Sequence, residues 1–180
     1  MKMILETERL MLREMTWDDL PALAEILQDE QTMYAYEGAM SQTETKDWLQ
    51  RQLARYEADG FGLWAVTLKE NGKMIGQCGL SWQEADQVQV LEVGYLFNRS
   101  YWHQGYGVEA AAGCIRYAFS TLNAHEVFAI IRDTNIASIN VAIRNDMTVR
   151  GQFVKNYRGQ DMPHLIFSVR QNAANFDQTQ

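Results

Sequence analysis

Apolar residues in this chain recur with two different periods, and the switches between them lay out the elements in order. Arg9-Leu10-Met11-Leu12-Arg13 reads as a first strand. Leu20, Leu23, Ala24 and Leu27 then fall at i, i+3, i+4 and i+7, one face of a helix. Thr16 is placed as its N-cap, Asp19 stands where a capping-box acid would, and Pro21 lies in the first turn, where it is tolerated. Residues 28–40 read as a loop, or a loop with a short helix, carrying Tyr34, Tyr36 and Glu37. Ser41 and Glu44 form a second capping box. The helix behind it carries Trp48, Leu49, Leu53 and Tyr56 and stops near Asp59-Gly60. Phe61 to Leu68 is apolar on both alternations, so it predicts a strand covered on both faces. Asn71-Gly72 signals a hairpin, and Lys73 to Trp82 returns as a strand in which Gly76 and Gly79 mark bulges or close backbone approach. A polar turn, Gln83 to Gln87, leads into a central strand, Val88 to Phe97.

A glycine loop follows, Trp102-His103-Gln104-Gly105-Tyr106-Gly107, and then a helix with Ala111, Ala112, Ile115, Phe119 and Leu122 on one face. His125 to Arg132 is the next apolar strand. Strand, helix, strand in this order implies a parallel pair with a right-handed crossover. Asp133 or Thr134 is placed to cap a helix from Asn135 to about Asn145, with Ile136, Ile139 and Ile143 as its apolar face. Thr148 to Tyr157 and His164 to Arg170 read as a last antiparallel pair around Arg158-Gly159. The elements predict an α/β domain with a mixed sheet, spanning residues 1–170, and a polar tail, 171–180. Repeats and low-complexity segments are not seen.

Composition narrows the class. The 180 residues, 47% apolar and 22% charged, suit one globular domain with a substantial core. No apolar run approaches the ~20 residues that span a bilayer, and the first residues carry no signal-peptide core. Cys78 and Cys114 are expected as buried, reduced thiols, which fits a cytoplasmic protein. Neither they nor His103, His125 and His164 sit at metal-ligand spacing, so no metal is expected. A net charge of −7 disfavours nucleic acid and anionic membrane as partners and is compatible with a cationic acceptor such as an amine.

The glycine loop carries the chemistry. At a helix start the first N–H groups have no intrahelical acceptor, and with the positive end of the helix dipole they suit an anion such as phosphate. Glycines let the backbone come close to it. The Lys-Ser/Thr ending of a nucleotide-hydrolysing loop is absent, and so is the third glycine of a dinucleotide fingerprint. The loop instead resembles the acyl-CoA loop of the GNAT N-acetyltransferase superfamily, Arg/Gln-x-x-Gly-x-Gly/Ala, with Gly105 and Gly107 at the last two fixed positions and Trp102 at the first. Tyr101-Trp102 with Tyr106, and the opening Glu6-Thr7-Glu8-Arg9-Leu10, resemble the ribosomal-protein alanine N-acetyltransferase subfamily. Val93-Gly94-Tyr95, Asn135 and Ala137-Ser138 extend the likeness to roughly Arg170.

The resemblance implies a GNAT-like fold, a mixed sheet flanked by about four helices, and transfer of an acetyl group from acetyl-CoA to a primary amine in a ternary complex. Backbone amides of His103, Gln104, Gly105, Tyr106, Gly107 and Val108 would hold the pyrophosphate. Tyr95, Leu96 and Phe97 would pair with pantetheine, and a backbone N–H near Leu96 or Phe97 would serve the oxyanion. Asn135 would bond pantetheine, with Ser138 one turn on. The acceptor would border Tyr34, Tyr36 and Glu37. The tyrosine expected seven residues after Asn135 is Ala142, so the general-acid role is vacant or filled elsewhere. Glu92 is the candidate base, ahead of Glu84 and His103; a strand salt bridge is its structural alternative. The acceptor is open between a protein N-terminus and a small polyamine, amino acid or aminoglycoside. A silent acyl-CoA-binding module is the rival class. Oligomeric state is open between monomer and homodimer.

Overall fold

The computed structural model describes residues 2–36, 38–157 and 159–171. The strands are β1 (Met3–Glu6), β2 (Leu10–Arg13), β3 (Leu63–Leu68), β4 (Met74–Ala85), β5 (Val88–Phe97), β6 (Glu126–Arg132), β7 (Thr148–Tyr157) and β8 (Gln160–Arg170). The helices are α1 (Leu20–Leu27), α2 (Gln42–Ala58), α3 (Tyr106–Ser120) and α4 (Ile136–Arg144). One sheet runs in the order β1-β2-β3-β4-β5-β6-β8-β7. All neighbours are antiparallel except β5 and β6, whose parallel ladder registers only at Glu92 and Phe128. This is the mixed sheet with helices that the periodicities predict.

Strand β3 explains why the sheet is a middle layer. Its six residues are all buried. Trp64, Val66 and Leu68 point into the cluster that contains Ala110, Ala111 and Cys114 of α3, whereas Leu63 and Ala65 point into the cluster with Leu23, Leu27 and Leu49 of α1 and α2. Period-two alternation thus feeds two cores, one on each face. At Gly79 a Cβ would stand 2.0 Å from the Gly62 carbonyl oxygen, so the close approach expected there is real. The expected bulge also appears, as a register shift between Val66 and Thr67 opposite Gly76 and Met74.

Five local readings change. A strand precedes the first one expected: β1 pairs with β2, although only half of its surface is covered and its alternation is weak. The polar stretch 83–85 continues β4, and the turn is only Asp86-Gln87, both left-handed at φ 47° and 66°, the geometry of a two-residue hairpin. Asn135, not Asp133 or Thr134, caps α4, its side chain accepting from the Ser138 N–H. On α4, Ile136 and Ile143 are 60% and 56% exposed, while Ala142 is fully buried. The helix turns its small-residue face inward, because Ser138 O accepts from the Tyr95 hydroxyl and Asn145 Nδ2 donates to Val108 O. Finally, β8 begins at Gln160, earlier than expected.

Both capping boxes form, with Glu44 accepting from the Ser41 N–H at 2.7 Å and Asp19 from the Thr16 N–H at 2.8 Å. Cys78 and Cys114 are buried, unbridged thiols, and their sulfurs lie 3.5 Å apart across the β4–α3 interface. Arg158 and the tail beyond residue 171 lie outside the described residues.

Candidate active site

The site is built where β5 ends and the sheet comes apart. The Asn98 N–H bonds back to Ile75 O on β4. Strand alternation therefore turns the N–H groups of Leu96 toward β4 and those of Tyr95 and Phe97 toward β6. Beyond Glu92 the β5–β6 ladder has no further register, so those two donors face a gap. The Glu92 carboxylate sits at the last rung and accepts from the Ile130 N–H at 3.1 Å. The opposite wall of the gap is α4, tied to β5 by the Tyr95 hydroxyl, which donates to Ser138 O at 2.9 Å.

The glycine loop closes one end. Trp102 Nε1 donates to Phe97 O at 2.9 Å, pinning the loop to the last residue of β5. His103 and Gly105 both take positive φ, 61° and 81°, and Gly105 is the N-cap of α3 with no side-chain cap bond. The Glu109 N–H is the first to find a helical acceptor, Gly105 O at 3.1 Å. The amides of Tyr106, Gly107 and Val108 therefore keep the free donors of a helix start. At Gly107 a Cβ would meet Val141 and Phe97 only at 3.5 and 3.7 Å. These are ordinary van der Waals distances, so packing alone does not demand glycine there.

The opening segment, noted above only as a likeness, has a physical task. Glu109 in the first turn of α3 accepts from Thr7 Oγ1 at 2.6 Å, from the Arg9 N–H at 2.7 Å and from Arg9 Nε at 2.7 Å. Burial works against its charge, but these bonds outweigh it and hold its pKa below the ordinary carboxylate value. Arg9 also donates to Gln104 O at 3.0 Å and lies over the Tyr106 ring at 4.4 Å. The first strands are thereby clamped to the glycine loop.

A cavity of about 580 Å³ lies between α2, β4, β5, β6 and β7. Of the residues singled out from sequence, it gathers Tyr36, Glu92, Tyr95, Leu96, Asn135 and Ser138. It leaves out Tyr34, Phe97 and the loop residues His103 to Val108. Tyr34 donates to Asn135 Oδ1 at 2.9 Å. Asn135 Oδ1 is thus committed to its cap and to Tyr34, while among the described residues its NH₂ has no acceptor. Glu37 lies outside the described residues. Glu84 and His103 are exposed and line no part of the cavity, which separates them from Glu92.

Glu92 is half-buried on the cavity wall. Burial drives its pKa up to about 7, opposed by the Ile130 N–H and by the fields of Lys155 and Arg55. Tyr36 is 43% exposed as a residue, but desolvation of its hydroxyl and the charge of Glu92 raise its pKa, so it stays a hydroxyl donor. Ala142 is fully buried and supplies no proton.

Several lining residues escaped the sequence reading. His164 Nδ1 stands 2.8 Å from Met162 O. A carbonyl only accepts, so Nδ1 carries the proton and Nε2 is the open nitrogen. Burial, helped by Lys155 and Arg132, lowers its pKa. Gln77, Ser81, Arg51, Arg55, Arg132 and Lys155 complete the polar wall. Gln77 and Ser81 did leave a signal, since polar residues four apart on an apolar strand share one buried face. Among the described residues, no group of three His, Cys, Asp or Glu is placed to hold a metal ion, and no helix is long and apolar enough to cross a membrane.

Comparison with known proteins agrees with this geometry. The profile described as Acetyltransferase (GNAT) domain matches residues 9–148. The uncharacterized protein YkkB of Bacillus subtilis is 34% identical over 91% of this chain and 93% of its own length. The crystal structure of a GNAT-family acetyltransferase from Bacillus anthracis superimposes with a TM-score of 0.81 at 21% identity, covering 92% of this chain and 97% of that one. Ribosomal-protein-S5-alanine acetyltransferase from Vibrio fischeri does so with 0.74 at 21% identity, covering 98% of each. With its parted β5–β6 pair, its glycine-led helix and these relatives, the chain belongs to the GNAT family of acetyltransferases.

Proposed function

We propose that the enzyme moves the acetyl group of acetyl-CoA straight to a primary amine, with Glu92 accepting the amine's proton. The observation that carries this reading is one carboxylate, at the last rung before the gap, facing the cavity with a pKa raised to about 7. A base poised near the working pH is the effective one. The amine nitrogen attacks the thioester carbonyl carbon, its proton passes to Glu92, and the carbon–sulfur bond breaks to release the CoA thiolate. The N–H groups of Tyr95 and Phe97, turned into the gap, are candidates for the oxyanion, a role typically worth ~3–4 kcal/mol. The free amides of residues 106–108 are candidates for the pyrophosphate, and the NH₂ of Asn135 for a pantetheine carbonyl. The acceptor is a primary amine, of a protein N-terminus or of a small molecule; the name of the Vibrio fischeri neighbour gives an alanine of ribosomal protein S5 for that protein.

Glu92→Gln tests the proposal. With acetyl-CoA and an amine acceptor, kcat should fall by at least ~100-fold, while the KM for acetyl-CoA stays within a few-fold. The wild-type kcat/KM should rise with pH through about 7, and that limb should vanish in the variant. A variant keeping a tenth or more of the activity would overturn the assignment.

A further inference from the structure

Four basic side chains line the cavity, although the chain as a whole carries −7. Arg55 from α2, Arg132 from β6 and Lys155 from β7 face it from three different elements, with Arg51 one turn before Arg55. The carboxylates on the same lining are Glu92, Glu44 and Asp47. Glu44 and Asp47 stand at the start of α2, and Glu44 is engaged by the Ser41 N–H. Among the described residues no carboxylate comes within ion-pair distance of Arg51, Arg55, Arg132 or Lys155. Arg55 reaches Gln52 Oε1 at 3.4 Å, Arg132 reaches Ala35 O at 3.5 Å, and Arg51 lies over the Trp48 ring at 5.6 Å.

Two buried donors on this lining are left without acceptors. Gln77 is fully buried, its Oε1 takes the Trp48 indole N–H at 3.0 Å, and its Nε2 bonds to nothing among the described residues. Arg132 Nε is buried and likewise unpartnered. Folded proteins seldom leave such donors empty, because each forgoes its hydration without a replacement bond. On this lining they are two donors that an oxygen-rich group could use.

Building on the transferase reading, we infer that the acceptor is a small amine bearing a carboxylate, an α-amino acid or close analogue. Arg55 and Lys155, which line the same cavity as Glu92 from α2 and β7, receive the carboxylate, and the amine turns to Glu92. In an α-amino acid one carbon separates the two groups, which matches a base flanked by cations. The same cations disfavour a protonated amine, so they also help strip its proton. A polyamine would bring a second ammonium against Arg55 and Lys155. A protein N-terminus has its first carboxyl group converted to a peptide amide.

Matched pairs test this: each common α-amino acid against its α-carboxamide, at saturating acetyl-CoA, with spermidine and an N-terminal peptide alongside. The carboxamide's amine, with a pKa of about 8, loses its proton more easily, so a preference for the carboxylate runs against intrinsic reactivity. We expect kcat/KM at least ~10-fold higher for the carboxylate, the fold-change of one well-placed charge contact. Arg55→Gln and Lys155→Gln should each erase that preference, raising the KM of the carboxylate far more than that of the carboxamide. Calorimetry of N-acetylated amino acids and their amides with the CoA-loaded protein reads the same preference without turnover. Equal use of both members, better use of spermidine or the peptide, or equal losses on both members in the two variants would overturn the inference. Preferential binding with no turnover of any amine would instead overturn the transferase reading and leave only the carboxylate-binding site standing.

Discussion

At the residue scale the molecule accepts an unfavourable carboxylate. Glu92 sits in a protein-lined cavity with its pKa raised to about 7, against an ordinary value of about 4.3. The folded state therefore holds its proton more tightly than the unfolded chain does. The stability this group contributes is fully present below the unfolded pKa and is lost as pH rises through about 7. Glu92→Gln keeps an oxygen for the Ile130 N–H and removes the charge. Its melting temperature should match the wild type near about pH 4 and exceed it near about pH 8, as thermal denaturation at the two pH values would read. Glu92 and Asn135 were legible in the sequence through family likeness. Arg55, Lys155 and His164 were not, because they lie on three separate elements and only the folded sheet brings them to one wall.

At the element scale, a loop is made rigid from outside. Trp102 stands where the family pattern has Arg or Gln, and its indole N–H fastens the loop to Phe97 O. Trp102→Phe keeps the ring and drops that bond, so the KM for acetyl-CoA should rise several-fold with kcat nearly unchanged, in steady-state kinetics. Gly105→Ala forces a side chain into a left-handed φ of 81°, a strain of about 1–2 kcal/mol. Chemical denaturation should read that loss, together with weaker CoA binding. The glycine loop, both capping boxes and the doubly covered β3 were readable from local pattern. The inward face of α4 was not, because two faces of that helix compete. Ile136 and Ile143 look apolar on paper, but Ser138, Ala142 and Asn145 have the small size and the bonding partners that win. Strand β1 escaped because four residues with weak alternation carry little periodic signal.

At the scale of the whole molecule, two cores share one sheet, and close backbone contact seats β4 against the entry to β3 within it. Gly79→Ala would drive a methyl group to 2.0 Å from Gly62 O. Overpacking against backbone should cost about 3 kcal/mol or more, and the variant's unfolding midpoint in urea would show it. The parallel pairing of β5 with β6 was legible because strand, helix, strand permits one crossover hand, whereas the place of β8 between β6 and β7 was not.

The parting of β5 from β6 has one more consequence. An unpaired edge on a protein's rim invites stray chains to add on. Here the frayed seam lies inside the fold, bridged by Tyr95 to α4 and stoppered by Trp102. Strand-edge N–H groups facing such a seam suit an extended ligand with peptide-like groups along it, taken up as an added strand would be. The defect in the fabric thus turns a hazard into a candidate dock.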